Sequence, residues 1–534
     1  MSLADAPTLC AAFDHTARIY RDQEAAADRT SRLTFGELDE ISRRLVSLLE
    51  AQGVAPGTRV GLLTHPSIAH LVASLALVRM GAIPVAFHVR ESSRQLAQLC
   101  EKFEIDIVLY DTSLSAAMKE MTSSCVDGLR GIALNFFAGT CPEASTPAEL
   151  EIPRDLSAFS PATNLPVPDE DDVALIILSS GTTALPKGVV HSHRSVMAGL
   201  RNLWTVYGDL GPGHRQIVAY STAFTGCYAA WSSFLLAGAC SVFQEKFDLA
   251  QFLATIPQER ITHVSLTPTM WRMLLALDPK PETYASVEQA FFAAEPMDGT
   301  TLQRIRQTVT PRIFQLYGST ETFGMISVNS ADHMVGERLN SVGRPFANAR
   351  VRIVRDSGSF DDLVSEGEVG IVVAAAPSVA VAIWRDDAMT RKLFHVDQEG
   401  RRWWASSDLA RFDEGGFLYL YGRADDMIIS GGINIMPAAV EEVLMSHPLV
   451  VEAAVIGMPH PEWGQQVHAF VVGKDSSLTA EALTEFLSKS SLAGYQRPRD
   501  YHFLSSLPRT ATSKLNRRAL REARLPAAAK ATAA

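Results

Sequence analysis

Cysteine is scarce: 6 in 534 residues, at positions 10, 100, 125, 141, 227 and 240, with no pair at metal-ligand or CxxC spacing. A disulfide scaffold, a zinc knuckle and a dithiol redox site are thereby excluded, and reduced, mostly buried thiols are expected. Excess positive charge is also lacking. Lys and Arg number 48 against 59 Asp and Glu, a net charge of -11, so bulk attraction to nucleic acid is not expected. An anionic substrate needs a local positive site. No uninterrupted apolar run reaches the roughly 20 residues that span a bilayer. Residues 1–20 carry acids and no apolar h-region, so no signal peptide is expected and a cytoplasmic location follows. Internal repeats and long linkers are missing too. What is present is globular: 47% apolar and 20% charged residues, in a chain long enough for at least two domains.

Short apolar runs alternate with amphipathic stretches. "RVGLLTH", "IPVAFHV", "IDIVLYD", "VALIILSS", "QIVAYST", "ITHVSLT" and "QAFFAAE" read as strands. "PSIAHLVASLALVRMG" reads as a helix with Pro66 at its start and Gly81 at its end; "SRQLAQLCEKFE" is also helical. This alternation predicts an α/β fold of parallel-rich sheets covered by helices, with sites in the loops after the strands. After about residue 340 hairpin-like segments form a β-rich subdomain, with a turn signal at Asp413–Gly416. A small α+β unit follows "RADDMIISGG". The expected domains are 1–423, 424–526 and a frayed tail, 527–534.

The stretch "LSSGTTALPKGVVHSHRS" (Leu178–Ser195) ends an apolar run in hydroxyls, a glycine and Lys187. Gly181 and Lys187 have Walker A spacing, but Pro186 replaces the second glycine and offers no N–H, so the triphosphatase P-loop is disfavoured. A hydroxyl-rich loop with a cation suits a phosphate tail; an ordinary surface turn is the alternative. In "LYGSTETFG" (Leu316–Gly324), Glu321 is either an Mg²⁺ carboxylate or a solvated loop acid. Asp408 in "SSDL" either accepts ribose hydroxyls or makes a cap or turn. Arg423 in "GRADDMIISGGINIMP" can reach a ribose or phosphate, and Gly431–Gly432 lets a backbone approach a ligand closely. Lys514 lies in "PRTATSKLNRRAL", where a solvated charge is the plain reading.

In this order the motifs resemble the adenylate-forming superfamily of acyl- and aryl-CoA synthetases, nonribosomal adenylation domains and beetle luciferases. The run "GRADDMIISGGINIMPAAVEEVL…VIGMPHPEWGQ" is most similar to bacterial aryl-CoA ligases of the benzoate and 4-chlorobenzoate type. The resemblance implies a mobile C-terminal domain and two half-reactions: a carboxylate forms an acyl adenylate from ATP, and CoA displaces AMP. It places Ser179, Ser180, Gly181, Thr182, Thr183 and Lys187 on the ATP phosphates. Glu295 and Pro296 line the adenine, with Tyr317 stacked on the base and Gly318, Ser319 and Thr320 beside the nucleotide. Asp408 and Arg423 hold the ribose. Glu321 holds Mg²⁺, and Thr320 and Lys514 stabilise developing charge. Asp425 is the implied hinge. Gly431, Gly432, Trp463, Tyr495 and Arg497 are the implied CoA contacts.

The candidate acyl pocket comprises Phe224, Thr225, Gly226, Cys227, Ala293, Ala294, Phe323, Gly324 and Met325. These segments hold no Lys or Arg, which favours a benzoate- or anthranilate-type acid over a diacid; a medium-chain fatty acid is the runner-up. The chain departs from the family pattern at Ala184 and Ser407, where glycine is usual, and at Thr225, where many ligases have histidine. ATP, Mg²⁺ and CoA are the expected cofactors and co-substrates. An acyl carrier protein as alternative acceptor, oxidation of the adenylate, a nucleotide-binding pseudoenzyme and a homodimer stay open. AMP release with a panel of acids, with and without CoA, separates the enzymatic readings.

Overall fold

The computed structural model describes residues 6–124, 128–134, 149–152, 156–179, 185–355, 360–509 and 515–524. Ser180, Gly181, Thr182, Thr183, Ala184, Lys514, Cys125, Cys141 and the tail 527–534 therefore lie outside the described residues. The chain forms two compact units, Met1–Val351 with Ala374–Trp404, and Arg352–Val373 with Ala405–Ala534. The expected boundary near Arg423–Asp426 falls inside the second.

In the first unit the described strands build a nine-stranded and an eight-stranded sheet. The nine-stranded sheet is parallel through its middle. Gln289–Ala293 runs beside Ile313–Tyr317, Ala293 opposite Leu316, so both strands deliver their following loops to one edge. In the eight-stranded sheet, Arg59–Leu63, Ile83–Ala86, Ile107–Asp111 and Val173–Ser179 are parallel neighbours. The parallel rule is broken at the phosphate-loop candidate. Val173–Ser179 is followed by a second strand, Lys187–Ser192, and the two pair antiparallel with Ser179 opposite Lys187. The candidate segment is thus flanked by two strands that pair with each other. "KGVVHS" has only Val189 and Val190 as apolar residues, too few to mark a strand by periodicity.

Helix Ile68–Arg79 begins after Ser67, whose hydroxyl accepts from the His70 N–H. Pro66 thus precedes the cap instead of opening the helix; Ser67 supplies the acceptor that the helix end requires. Helices Ile68–Arg79 and Thr225–Leu236 are apolar almost all round, and with His193–Tyr207 they share one core with strands of both sheets. That continuous core ties the two sheets together beneath the strand ends.

Strand Arg402–Phe412, which enters the second unit at Ala405, pairs antiparallel with Leu418–Arg423 about the turn read at Asp413–Gly416, with Asp408 opposite Arg423. Beyond lies a sheet of Ile428–Ser430, Ile433–Ile435, Val450–His460, Gly464–Gly473 and Asp500–Phe503, with helices Pro437–Met445 and Ala480–Ser488 on its apolar face. These elements follow the sequence reading closely.

Candidate functional site

A strand and a turn meet in the first unit. Strand Lys187–Ser192 belongs to the eight-stranded sheet, and the turn after Ile313–Tyr317 belongs to the nine-stranded sheet. Side chains alternate along a strand, so Lys187 and His191 project from the same face. Lys187 Nζ lies 2.5 Å from Glu321 Oε1. His191 Nε2 lies 2.8 Å from the Thr320 carbonyl oxygen. The Ala380 N–H donates to the Glu321 carbonyl at 2.8 Å.

Glu321 is 6% exposed. Burial alone raises the pKa of a carboxyl, but the Lys187 ammonium and local hydrogen bonds more than offset it, and the group sits below the ordinary carboxylate range. It is therefore a buried, ionised oxygen donor, the chemistry that a hard divalent cation requires. Among the described residues no three His, Cys, Asp or Glu side chains cluster as a metal cage. A magnesium ion at Glu321 would share this carboxylate with phosphate oxygens of its nucleotide.

The turn itself is tightly folded. Gly324 N–H donates to the Ser319 carbonyl at 2.7 Å and Ile326 N–H to the Tyr317 carbonyl at 2.9 Å. This folds the chain back onto Gly318, where a Cβ would stand 2.3 Å from the Gly324 carbonyl carbon. Only glycine fits there. Thr320–Thr322 forms one 3-10 turn, and Phe323 leaves it in a left-handed conformation, φ 53°. Tyr317 ends its strand with its ring buried.

At the neighbouring strand end, Ala294 adopts φ 73°, an uncommon conformation for a residue with a Cβ. Glu295 turns its carboxylate onto Thr269, accepting from its hydroxyl at 2.7 Å and its N–H at 3.3 Å. The side chain thus anchors helix Pro268–Ala276, and Ala294 and Pro296, both exposed, follow the strand that pairs beside the one ending in Tyr317.

The acyl-pocket candidates divide. Cys227, Phe323 and Met325 are core members alongside Phe291, and Phe323 packs against Gly199 and, edge to face at 5.4 Å, against His191. They pack the interior. Phe224, Thr225, Gly226, Ala293, Ala294 and Gly324 are partly or fully accessible. Thr225 opens helix Thr225–Leu236, and its hydroxyl is buried with no hydrogen-bond partner among the described residues.

In the second unit Asp408 lies within a strand, neither capping a helix nor making a turn, directly across from Arg423. Arg423 pairs with Asp425 at 3.4 Å in the 3-10 turn Ala424–Asp426. Gly431 and Gly432 form the tip of the hairpin between Ile428–Ser430 and Ile433–Ile435, at φ 58° and 80°. The Gly431 N–H donates to the Trp463 carbonyl at 2.9 Å, which brings two sequence candidates together. Trp463 is 40% exposed, with His460 stacked on it at 4.6 Å and the Arg499 guanidinium 5.7 Å from its centroid. Arg497 is turned elsewhere: its guanidinium donates to the Leu492 carbonyl at 3.1 and 2.9 Å and closes the preceding loop. Tyr495 is exposed. The cation beside the tryptophan is therefore Arg499, which the sequence reading missed, as it missed His460 and His191. His191 had a signal: it stands two alternations after Lys187 on one strand face.

Residues 13–384 match the AMP-binding enzyme family and residues 439–514 the AMP-binding enzyme C-terminal domain. A 4-chlorobenzoate–CoA ligase of an Arthrobacter species is 30% identical over 92% of this chain and 90% of its own. A medium/long-chain-fatty-acid–CoA ligase of Mycobacterium tuberculosis is 27% identical over 92% of this chain and 86% of its own. The o-succinylbenzoate CoA synthetase of Bacillus subtilis superimposes in two complexes. With its acyl-adenylate intermediate the TM-score is 0.81, at 26% identity, over 96% of this chain and 97% of that one. With ATP and magnesium it is 0.79, at 25% identity, over 94% and 98%. The chain belongs to the AMP-binding enzyme family and is an adenylate-forming ligase.

Proposed function

We propose that this ligase activates an aryl monocarboxylic acid of the benzoate or anthranilate type with ATP and transfers the acyl group to CoA, releasing AMP and pyrophosphate. The observation that carries the ATP half is the buried Lys187–Glu321 pair at the meeting of two sheets. It holds a cation for phosphate oxygens and an ionised carboxylate for Mg²⁺ side by side. The bound metal ion supplies neutralisation of phosphate charge. Lys187 attracts the phosphate tail. Asp408 and Arg423, adjacent across a strand pair, suit a ribose. The acid's carboxylate oxygen attacks the α-phosphorus and pyrophosphate leaves; Lys514 is the cation assigned to that crowding of anions. The CoA sulfur then attacks the acyl carbon and AMP leaves. Trp463, with Arg499 beside it, suits the adenine and phosphates of CoA. Rotation of the C-terminal domain about Asp425 separates the two steps.

Three features support an aryl acid. The accessible pocket candidates include Phe224, contain no Lys or Arg, and include Thr225, whose buried hydroxyl has no partner among the described residues and can pair with a ring hydroxyl or amino group that reaches it. The fatty-acid ligase among the relatives favours a second reading, a medium-chain acid. AMP release with benzoate, anthranilate, octanoate and malonate, each with and without CoA, decides between them. The aryl reading expects an aryl acid to have the highest kcat/KM and release to depend on CoA for turnover. Octanoate or malonate ahead by about tenfold, the scale of a single pocket contact, overturns it. The same panel with a carrier protein in place of CoA tests the acceptor. A cytoplasmic enzyme is the matching location; no helix among the described residues is long and apolar enough to cross a membrane.

A further inference from the structure

His191 is fully buried and reaches the site only through the backbone of the turn that carries Thr320 and Glu321. Burying an imidazole is costly unless its nitrogens are used. A carbonyl can only accept, so the proton sits on Nε2 and is donated to the Thr320 oxygen at 2.8 Å. Nδ1 is left as an acceptor facing the Ser195 hydroxyl at 3.0 Å. The ring edge packs on Phe323.

The Thr320 carbonyl belongs to the peptide that precedes Glu321. The peptide that follows is held by the Ala380 N–H on the Glu321 carbonyl, at 2.8 Å. Both peptide planes flanking this carboxylate residue are thus pinned by groups from other segments, and only its side-chain torsions stay free. Lys187 holds the carboxylate itself. Phosphate oxygens compete for Lys187 when nucleotide binds, and from then on the placing of Glu321 rests on the two backbone bonds.

We infer that His191 is a positioning residue for Glu321, keeping its carboxylate aimed at the metal position while Lys187 changes partner. The inference rests on the proposed use of Glu321 as the Mg²⁺ carboxylate. Outer-shell partners of metal-binding carboxylates typically contribute about 10- to 100-fold to metal affinity.

The test is calorimetric titration of Mg²⁺ into the full-length enzyme saturated with a non-hydrolysable ATP analogue, with analogue binding in chelator measured alongside. His191→Phe keeps the ring and its packing but loses the donor, and is expected to weaken Mg²⁺ binding about tenfold with analogue binding in chelator unchanged. His191→Gln keeps a donor and is expected to restore most of that loss. Should the Phe variant fail to fold, Ser195→Ala, which removes the hydroxyl facing Nδ1, is expected to weaken Mg²⁺ binding in the same direction. Wild-type Mg²⁺ affinity in the folded His191→Phe variant, or in Ser195→Ala when that variant alone folds, overturns the inference. So does equal loss in the Phe and Gln variants, which marks packing alone. Failure of the function reading looks different: the wild-type enzyme would release no AMP with any acid, whatever the variants do to the metal.

Discussion

The two candidate regions are built on opposite plans. In the first unit Lys187, His191, Thr320 and Glu321 are held by one another and by backbone, in a corner from which water is largely excluded. In the second unit Gly431, Gly432, Trp463, His460 and Arg499 stand on an open face, Trp463 with 40% of its surface exposed. A buried corner of charges draws its strength from low dielectric and fixed geometry. An exposed aromatic with a cation beside it gains its energy only when a ligand covers it. Under the proposed function the first is preorganised for phosphate chemistry, and the second is a docking face whose contribution waits on its ligand.

If that contrast is right, substitutions in the corner cost stability as well as activity, and those on the face cost binding alone. The largest effect is expected at Glu321. Glu321→Gln leaves the Lys187 ammonium without its counter-charge, and breaking such a pair typically costs about 3–5 kcal/mol. Urea unfolding should show the loss, and Lys187→Met in the same chain should recover much of it; additive losses would mean that the pair is not coupled.

Lys514→Ala comes next. Removing a charge donor at the reacting phosphate typically costs about 10²–10³ in rate. Pyrophosphate release should fall by that much, while nucleotide binding and thioester formation from presynthesised adenylate persist. Near-normal pyrophosphate release would return Lys514 to a solvated surface charge.

Protonation sharpens the comparison a third way. Burial pushes His191 down from its ordinary 6.5 to about 4, with the Thr320 bond and the Glu321 charge offsetting only part of that. The unfolded chain therefore binds a proton below pH 6.5 that the folded corner refuses. The corresponding stability is fully present above pH 6.5 and is lost as pH falls towards 4, on the order of 3 kcal/mol for this residue. His70 and His193, also buried neutral in the first unit, act in the same sense. Unfolding midpoints of wild type and His191→Phe between pH 7 and 4 should converge on acidification.

The smallest effect belongs to the open face. Stacking of a base on an aromatic side chain is worth about 1–3 kcal/mol, so Trp463→Ala should raise the KM for CoA roughly tenfold. Adenylation and unfolding should not change. A loss of adenylation in this variant would break the division of labour.

Most of the strands and helices, and the charged members of the corner, are legible in the sequence, because local periodicity and motif order report them. Pairings between distant segments are not. Lys187 and Glu321 are each visible as phosphate-site candidates, yet nothing local says that they meet, since the contact depends on how two sheets share a core. The strand Lys187–Ser192 is not legible because only Val189 and Val190 mark it before a polar run. Phe323 and Met325 read as pocket residues by composition, while tertiary packing commits them to the interior. Arg497 and Arg499 are equivalent in sequence; the loop closed on the Leu492 carbonyl decides which one stands beside Trp463.

The Lys187–Glu321 pair has a consequence for life among competing anions. Joined to each other, the two residues sum to zero charge, so this corner offers a stray inorganic phosphate or metal-free nucleotide no net attraction. Such an anion must displace the carboxylate and leave it unsatisfied. A nucleotide that arrives with its own divalent cation compensates both groups at once. Under the proposed function the internal pair thus favours a nucleotide that comes with its metal over one that comes without.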